Sequence, residues 1–454
     1  MNPFKTFALL VPLVAAAVTC ARDASACGGC FVPPDANTQV TGHRMVLSVS
    51  PTATTLWDQI VYSGEPESFA WVLPTKGVVE IGVSSDLLFN TLAFVTDPQI
   101  IPPYLDCPNS CGYDAGNSGA TGAGSGGGGG ASGDGVTVIA EEVVGPYETV
   151  QLNANDPTAL QTWLADHGYS IPADVAPLID TYVNEGFNFL AMKLVPGQGI
   201  ESMKPVRITT PGANPALPLR MVAAGTGAIT PITLWVVGEG RYQPTNFGEF
   251  SIPESSLVWN WDTSESNHAV LKQEGFDASN GKTWLIESAQ PTSPFLIEGT
   301  IQQVVSFQPE LSGYGEPDGT GASEAATEDL EALYGAIDMG SMWLTRMHGE
   351  LPRSALSTDL QIGASTDQTS VPHVYYVTNT IGTTPVCPPD PCASGTGTGN
   401  GTGSGSGSGV GGSSSGGYST SGGACALGGA GGLPAAGTIG LALALALVRR
   451  RRRS

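Results

Sequence analysis

Ser68-Phe69-Ala70-Trp71-Val72-Leu73-Pro74 is a nearly continuous apolar run that stops at a proline. A run this short, closed by a residue that cannot donate a ladder hydrogen bond, reads as a strand buried on both faces. Upstream, Arg44 to Ser50 alternates apolar and polar residues, the period of a half-buried strand. The same reasoning predicts strands over Phe187–Val195, Val206–Thr210, Ile232–Val237, Trp284–Ser288, Ile301–Phe307 and His373–Thr378. Three segments carry a helical period instead. Asp156–His167 has Asn155 or Asp156 as cap, Pro157 in the first turn, and Leu160, Trp163 and Leu164 on one face. Ala173–Glu185 ends at Gly186, and Thr327–Ala336 aligns Leu330, Leu333, Tyr334 and Ile337. Strands outnumber helices, so the predicted class is α+β with β dominant: antiparallel sheets with a few short helices.

Composition limits what surrounds this core. The 454 residues include 61 Gly and 34 Pro, about a fifth of the chain where about an eighth is usual. Part of the chain is therefore not packed core, while 41% hydrophobic and 7% aromatic content supply a core for the rest. Asp114 to Gly135 is a Gly/Ser/Ala tract, predicted to be a flexible insertion. Between Cys27 and Cys425 stand 11 basic and 40 acidic residues, a net charge of about −29. A body that acidic repels phosphate backbones, which excludes nucleic acid as a partner and leaves cations and basic or neutral surfaces.

The two ends read as addresses. Lys5, the apolar run Phe7 to Val18, and Ala24-Ser25-Ala26 form a secretory signal. Residues 1–26 are thus a signal peptide, with Ala26 and Cys27 flanking the signal-peptidase cut. A rival lipoprotein-type cut before Cys20 follows Ala17-Val18-Thr19, where Thr stands in place of a smaller residue. The body spans 27–392. Residues 393–424 are a Gly/Ser/Thr spacer with a root-mean-square reach of about 30 Å. Gly428 to Val448 is uncharged and apolar; as a helix it extends about 31 Å, the thickness of the hydrocarbon core. Arg449 to Arg453 follows and stays on the cytoplasmic side by the positive-inside rule. The predicted order is outside, single transmembrane segment, inside.

Gly422-Gly423-Ala424-Cys425, the apolar stretch and the terminal Arg run together resemble the myxosortase-type (MYXO-CTERM) sorting signal of myxobacterial surface proteins. The resemblance covers residues 425–454 and the few before them. It implies that a myxosortase-like membrane protease processes the chain at Cys425 and that the body passes to the cell surface. A second resemblance lies in the body. Ala26-Cys27-Gly28-Gly29, Phe69-Ala70-Trp71-Val72-Leu73-Pro74, Gly145-Pro146-Tyr147-Glu148, Leu160-Gln161-Thr162-Trp163-Leu164 with His167-Gly168-Tyr169, Phe189-Leu190-Ala191-Met192-Lys193-Leu194 and Leu344-Thr345-Arg346-Met347-His348 occur in that order. They are similar to a domain-of-unknown-function family of secreted bacterial proteins (the DUF2330 type) whose mature form starts at Cys-Gly-Gly. The family implies export and an envelope role, and supplies no catalytic residues.

Candidate chemistry in the body is sparse. Cys27, Cys30, Cys107, Cys111, Cys387 and Cys392 form three close pairs in a chain bound for an oxidising compartment, which favours disulfides. Close spacing suggests local pairs; bonding of Cys27 or Cys30 to Cys107 or Cys111 would clamp more chain. A zinc site built from the four cysteines of the first two pairs and a redox Cys27-Gly28-Gly29-Cys30 are the alternatives. The latter is opposed by Phe31-Val32-Pro33-Pro34, a poor helix start. His43, His167, His268, His348 and His373 are not at metal-ligand spacing. Arg346 and His348 beside Glu350 form the best polar cluster, one strand face, read as an ion pair. Asp277 to Gly281 is loosely calcium-like and reads as a turn. G-x-S-x-G at Gly412–Gly416 and G-x-G-x-x-G at Gly122–Gly127 lie in Gly-rich tracts without flanking strand or helix and carry no site. No cofactor is expected. Two functions follow: a non-enzymatic, disulfide-stabilised binding or envelope module on a flexible stalk with an unnamed surface ligand, or an exported hydrolase or thiol oxidoreductase.

The mature protein should begin at Cys27. N-terminal sequencing of exported material checks this, and a lipid-bearing start at Cys20 would overturn it.

Overall fold

Within the apolar run at 68–74, and one residue past it, Ala70–Thr75 is a strand with all six residues buried. It belongs to a computed structural model that describes residues 30–31, 39–63, 70–105, 107, 141–152, 159–166, 175–195, 203–223 and 226–387. The chain divides into two units, Met1–Cys392 and Ala393–Ser454, and every described residue belongs to the first. The signal peptide, Cys27, the 114–135 insertion, Cys111, Cys392, the spacer and the tail with Cys425 lie outside the described residues. Among the described residues no helix is long and apolar enough to cross a membrane.

The chain begins with β1 (Cys30–Phe31), β2 (Gln39–Val49), β3 (Ala53–Ser63), β4 (Ala70–Thr75), β5 (Glu80–Val83), α1 (Asp86–Thr96) and β6 (Gln99–Ile101). It continues through β7 (Glu141–Val144), β8 (Tyr147–Leu152), α2 (Ala159–Asp166), α3 (Ala176–Asn184), β9 (Asn188–Leu194), β10 (Val206–Pro211), β11 (Ala216–Leu217) and α4 (Leu219–Val222). Next come β12 (Ile229–Glu239), β13 (Tyr242–Pro244), β14 (Gly248–Phe250), β15 (Val258–Asn260), β16 (Glu265–Ser266), α5 (His268–Asp277) and β17 (Thr283–Pro291). The last elements are α6 (Pro294–Phe307), α7 (Ala322–Tyr334), β18 (Met342–Pro352), β19 (Leu360–Ala364), β20 (Val374–Tyr376) and β21 (Asn379–Ile381).

Two sheets carry the fold. The smaller has the order β1-β4-β9-β8-β7 and is antiparallel throughout. The larger has the order β14-β17-β18-β12-β2-β3-β10-β5. It is mixed, because β12 runs parallel to β2 and β14 parallel to β17. This corrects the expectation of purely antiparallel sheets. Side-chain alternation sorts the core into layers. Met45, Leu47 and Leu56 of the larger sheet meet Trp71, Leu73, Leu190 and Met192 of the smaller one in the central core. The outer face of the smaller sheet, through Val72, Val150 and Ala191, packs on Leu160 of α2 and Ile179 and Tyr182 of α3. The outer face of the larger sheet, through Val46, Trp57 and Trp235, packs on Phe89 of α1, Ile301 of α6 and Leu333 of α7. The order is helices, sheet, sheet, helices. A satellite cluster joins Phe276 of α5 to Leu285 and Tyr375.

Residues 301–307 are helical, against the strand predicted there. Ile297, Ile301 and Val305 recur every fourth residue and are all buried on one stripe of α6. Pro294 begins the helix where its missing N–H costs nothing. The helical period of the whole segment outweighs the β-branched content of its last half. Helix α1 is a second element the sequence reading did not contain. Ser85 caps it, its side chain accepting from the N–H of Leu87 at 3.0 Å, and Asp86 sits in its first turn. At Asp277–Gly281 the structure has a plain helix-ending turn, with Asn280 and Gly281 at positive φ and Gly281 N–H donating to the carbonyl of Phe276 at 2.8 Å.

Cys107 and Cys387 form a disulfide across 280 residues of chain, with Cα atoms 5.4 Å apart. It follows neither the local pairing nor the clamp to the N-terminal cysteines weighed from spacing. The topology explains it. Strand β20 pairs in parallel with β6, and Val377 N–H donates to the carbonyl of Ile101 at 3.1 Å, so both segments leave the pairing at the same end. Changing Cys107 and Cys387 together to Ser should cost about 2–5 kcal/mol, because so long a loop is released in the unfolded state. Denaturant unfolding without reductant measures it, and an unchanged midpoint would refute it.

Candidate functional site

Strand β10 pairs with β3 from Val206 opposite Asp58 to Pro211 opposite Ala53. Past Asp58, β3 continues to Ser63 paired with β2 alone among the described strands. The sheet is therefore two strands narrower from Gln59 onward, since β5 ends opposite Val206, and a cavity of about 580 Å³ opens there between the two sheets. Asp58 and Ile60 line it from the inter-sheet face of β3, Trp71, Tyr147 and Met192 from the smaller sheet, and Met203 to Val206 from the approach to β10. Arg44, Gln59 and Asp86 reach its mouth around the open edge.

Each charged group of the lining is held differently. Asp58 is 3% exposed, and both its carboxylate oxygens lie within 3.2 Å of His43 Nδ1. A carboxylate only accepts, so Nδ1 carries the hydrogen of this contact. His43 is 2% exposed and its Nε2 is buried without a hydrogen-bond partner among the described residues. Arg44 donates to the carbonyl of Phe89 at 2.7 Å, to Gln59 Oε1 at 3.0 Å and to Asn90 Oδ1 at 3.2 Å. Burial lowers the pKa of its guanidinium, against the pull of Asp86 and Asp97. Lys204 Nζ donates to the carbonyl of Gly315 at 2.7 Å, and burial lowers its pKa too. The Tyr147 hydroxyl donates to the carbonyl of Lys204 at 2.6 Å and accepts from its N–H at 3.0 Å, which pins that wall to the smaller sheet.

Behind this wall, on the other face of the larger sheet, sits a buried carboxylate. Asp329 of α7 is 1% exposed. It accepts from Trp57 Nε1 at 2.7 Å, Ser84 Oγ at 2.5 Å and the Tyr314 hydroxyl at 2.8 Å, and lies 3.4 Å from Arg207 Nη1. Arg207 also pairs with Glu328. Its guanidinium lies over Gly82, where a Cβ would approach Arg207 Nη2 to 2.5 Å, so a larger residue there would displace the guanidinium. Burial raises the pKa of Asp329, while Ser84, Trp57 and Arg207 draw it down. Trp57 and Arg207 are the chain neighbours of Asp58 and Val206, so the buried node positions the two strands that floor the cleft.

The sequence-selected residues fall elsewhere. Arg346 and His348 share one face of β18, as alternation predicts. Arg346 Nε lies 2.6 Å from Glu287 Oε2, and the guanidinium also pairs with Asp97. His348 Nε2 lies 2.8 Å from Glu350 Oε1. The contact with His348 holds the Glu350 carboxyl below its usual pKa. The Arg346 contacts are ion pairs, His348 is held to Glu350 by a hydrogen bond, and all lie apart from the cleft. Cys30 stands opposite Trp71 in the backbone register of β1 and β4. Cys107 and Cys387 are bonded to each other. Ala26, Cys27, Cys111, Cys392 and Cys425 lie outside the described residues. Among the described residues no group of three His, Cys, Asp or Glu side chains is arranged to hold a metal ion. Sequence reasoning missed Asp58, Arg44 and Lys204. The available signal was parity: Leu56, Asp58 and Ile60 alternate, so Asp58 stands where an apolar residue is due.

Replacing Asp329 with Ala should destabilise the fold by about 3–5 kcal/mol, since it leaves three buried donors without their acceptor and Arg207 with Glu328 as its remaining carboxylate partner. Denaturant unfolding of the variant is the measurement, and a loss under about 1 kcal/mol would deny the node its role.

No curated protein matches the chain. The crystal structure of baculovirus P35 shares 10% identity with it, over 46% of this chain and 67% of that chain, at a TM-score of 0.25. A likeness that weak carries no argument about fold or function. A family model described as "Uncharacterized protein conserved in bacteria (DUF2330)" matches residues 21–362. That span holds both large sheets, the cleft and the Asp329 node, and the chain accordingly belongs to the DUF2330 family of uncharacterised bacterial proteins.

Proposed function

We propose that the protein is an exported, surface-displayed binding module whose ligand enters the cleft between the two sheets. The cleft carries this reading. At about 580 Å³ it is in the size range of small-molecule sites, and it combines apolar walls with a few placed polar groups. Its described lining contains no Ser, Thr or Cys beside a base, so the arrangement suits recognition better than acyl transfer. Export and display rest on the sequence: the leader ending at Ala26, the start at Cys27, the spacer 393–424 and the myxosortase-type tail with Cys425. Signal peptidase and a myxosortase-like protease are the processing partners in this reading, with the membrane reached through 428–448 and the cell surface as destination.

An exported enzyme is the second reading, and the His43–Asp58 contact is the observation that favours it. His43 is absent from the described lining of the cavity, and a general base must reach the proton it takes.

Cys425→Ala should leave export intact and trap a full-length form in the inner membrane. Mass measurement of surface fractions decides it: wild type should lack Arg449 to Arg453, and if the wild type keeps them the tail is a plain anchor. Native mass spectrometry of the surface form should show a small-molecule adduct that Met192→Trp, which fills the cleft, removes. An adduct that survives this change would place binding elsewhere.

A further inference from the structure

The cleft has a polarity that its mixed lining conceals. Four charged residues border it, Arg44, Asp58, Asp86 and Lys204. Asp58 alone of these is less than a tenth exposed. The two cations are turned to other acceptors: Arg44 to the carbonyl of Phe89 and the side chains of Asn90 and Gln59, Lys204 to the carbonyl of Gly315. Neither forms an ion pair with Asp58, whose side-chain contact is the hydrogen bond from His43 Nδ1. Asp86 stands at the mouth and accepts from Gln59 Nε2 at 2.5 Å.

The charge of the His43–Asp58 contact follows from the far side of the ring. An imidazolium would place a second N–H at Nε2, which is buried with no acceptor among the described residues. An unpaired buried donor on a charged group is costly, more so than an unused lone pair on a neutral one. The ring is therefore better accommodated neutral, and the contact keeps one net negative charge, on Asp58. Trp71 and Tyr147, 3% and 2% exposed, and the thioethers of Met192 and Met203 surround the space before it. Aromatic faces and a desolvated carboxylate are the two features that recognise an organic cation.

Building on the binding reading above, we infer that the cleft selects a primary amine attached to a small apolar or aromatic body. The ammonium sits against Asp58 and the apolar part lies among Trp71, Tyr147, Met192 and Met203. Free amines and the amino group of a peptide share this chemistry.

Calorimetric titration of the full chain in lipid nanodiscs, with empty nanodiscs as blank, tests the inference with benzylamine, benzyl alcohol and benzoate. Benzylamine should bind at least about tenfold more tightly than benzyl alcohol, and Asp58→Asn should bring it down to the level of the alcohol. Met203→Lys, at a partly exposed position of the wall, removes the same apolar contact from both probes and adds a positive charge, so it should weaken benzylamine about tenfold more than benzyl alcohol, which keeps the test decisive if Asp58→Asn does not fold. Equal binding of amine and alcohol would overturn amine selection while leaving the cleft a binding site. Tightest binding of benzoate would mean that Arg44 and Lys204 set the selection, and would overturn it as well. No saturable heat with any probe would remove both this inference and the binding reading on which it rests.

Discussion

The carboxylate of Asp329 is the constraint on which the arrangement of strands around the cleft depends. Its partners come from four places far apart in sequence: Trp57 on β3, Ser84 before α1, Arg207 on β10 and Tyr314 before α7. Burying a charge is expensive, and burial indeed raises the Asp329 pKa. An acid with a raised native pKa binds its proton more readily folded than unfolded. Its contribution to stability is thus lost as pH rises through that pKa and gained as pH falls, opposite to the usual acid denaturation of paired carboxylates. The network is better understood through register. A slip of one residue in β3 would turn Trp57 away from Asp329 and Asp58 away from the cleft at once. Specificity of pairing is the return on a buried ion that stability alone would not favour.

The same logic separates the cleft from the polar row on the opposite face. Arg346 is held by Glu287 and Asp97 and stacks 5.2 Å from the ring centroid of Trp235, and His348 is held by Glu350 with Thr233 Oγ1 3.3 Å from its Nδ1. Arg346 and His348 each already have a carboxylate partner. Such a row binds strand to strand and helix to sheet, and offers little to a ligand. At the cleft the charges are satisfied by neutral carbonyls and amides or, for Asp58, by a single imidazole, so uncompensated charge remains for something that enters.

How much of this could be read from the sequence depends on how local each signal is. The buried strand at Ala70–Thr75 and the helix at Ala322–Tyr334 were legible because their side-chain period is complete within a few turns or residues. The stretch Ile301–Phe307 misleads because it is the last half of α6 and rich in β-branched residues; only with Ile297 included does the four-residue period show. The Cys107–Cys387 bond was illegible for a different reason. It depends on a parallel pairing between three-residue strands more than 270 residues apart, which leaves no trace in spacing. Asp58 falls between these cases. Its parity marks it as facing the core, but its role needs His43 from β2, Trp71 from β4 and the early end of β10.

For a cationic ligand the two scales of charge in this chain would act at different stages. The body carries 11 basic against 40 acidic residues between Cys27 and Cys425, a field that concentrates cations near the surface but is screened beyond about 10 Å at 0.1 M salt. It raises the rate of encounter and does not distinguish one amine from another. Asp58 acts at contact, 3% exposed and in the same lining as Trp71 and Tyr147, where screening is weak. Salt should then slow association of an amine far more than it speeds its release, because the surface field governs arrival and the buried carboxylate governs residence. A site whose affinity came from the exposed acids alone would lose both together.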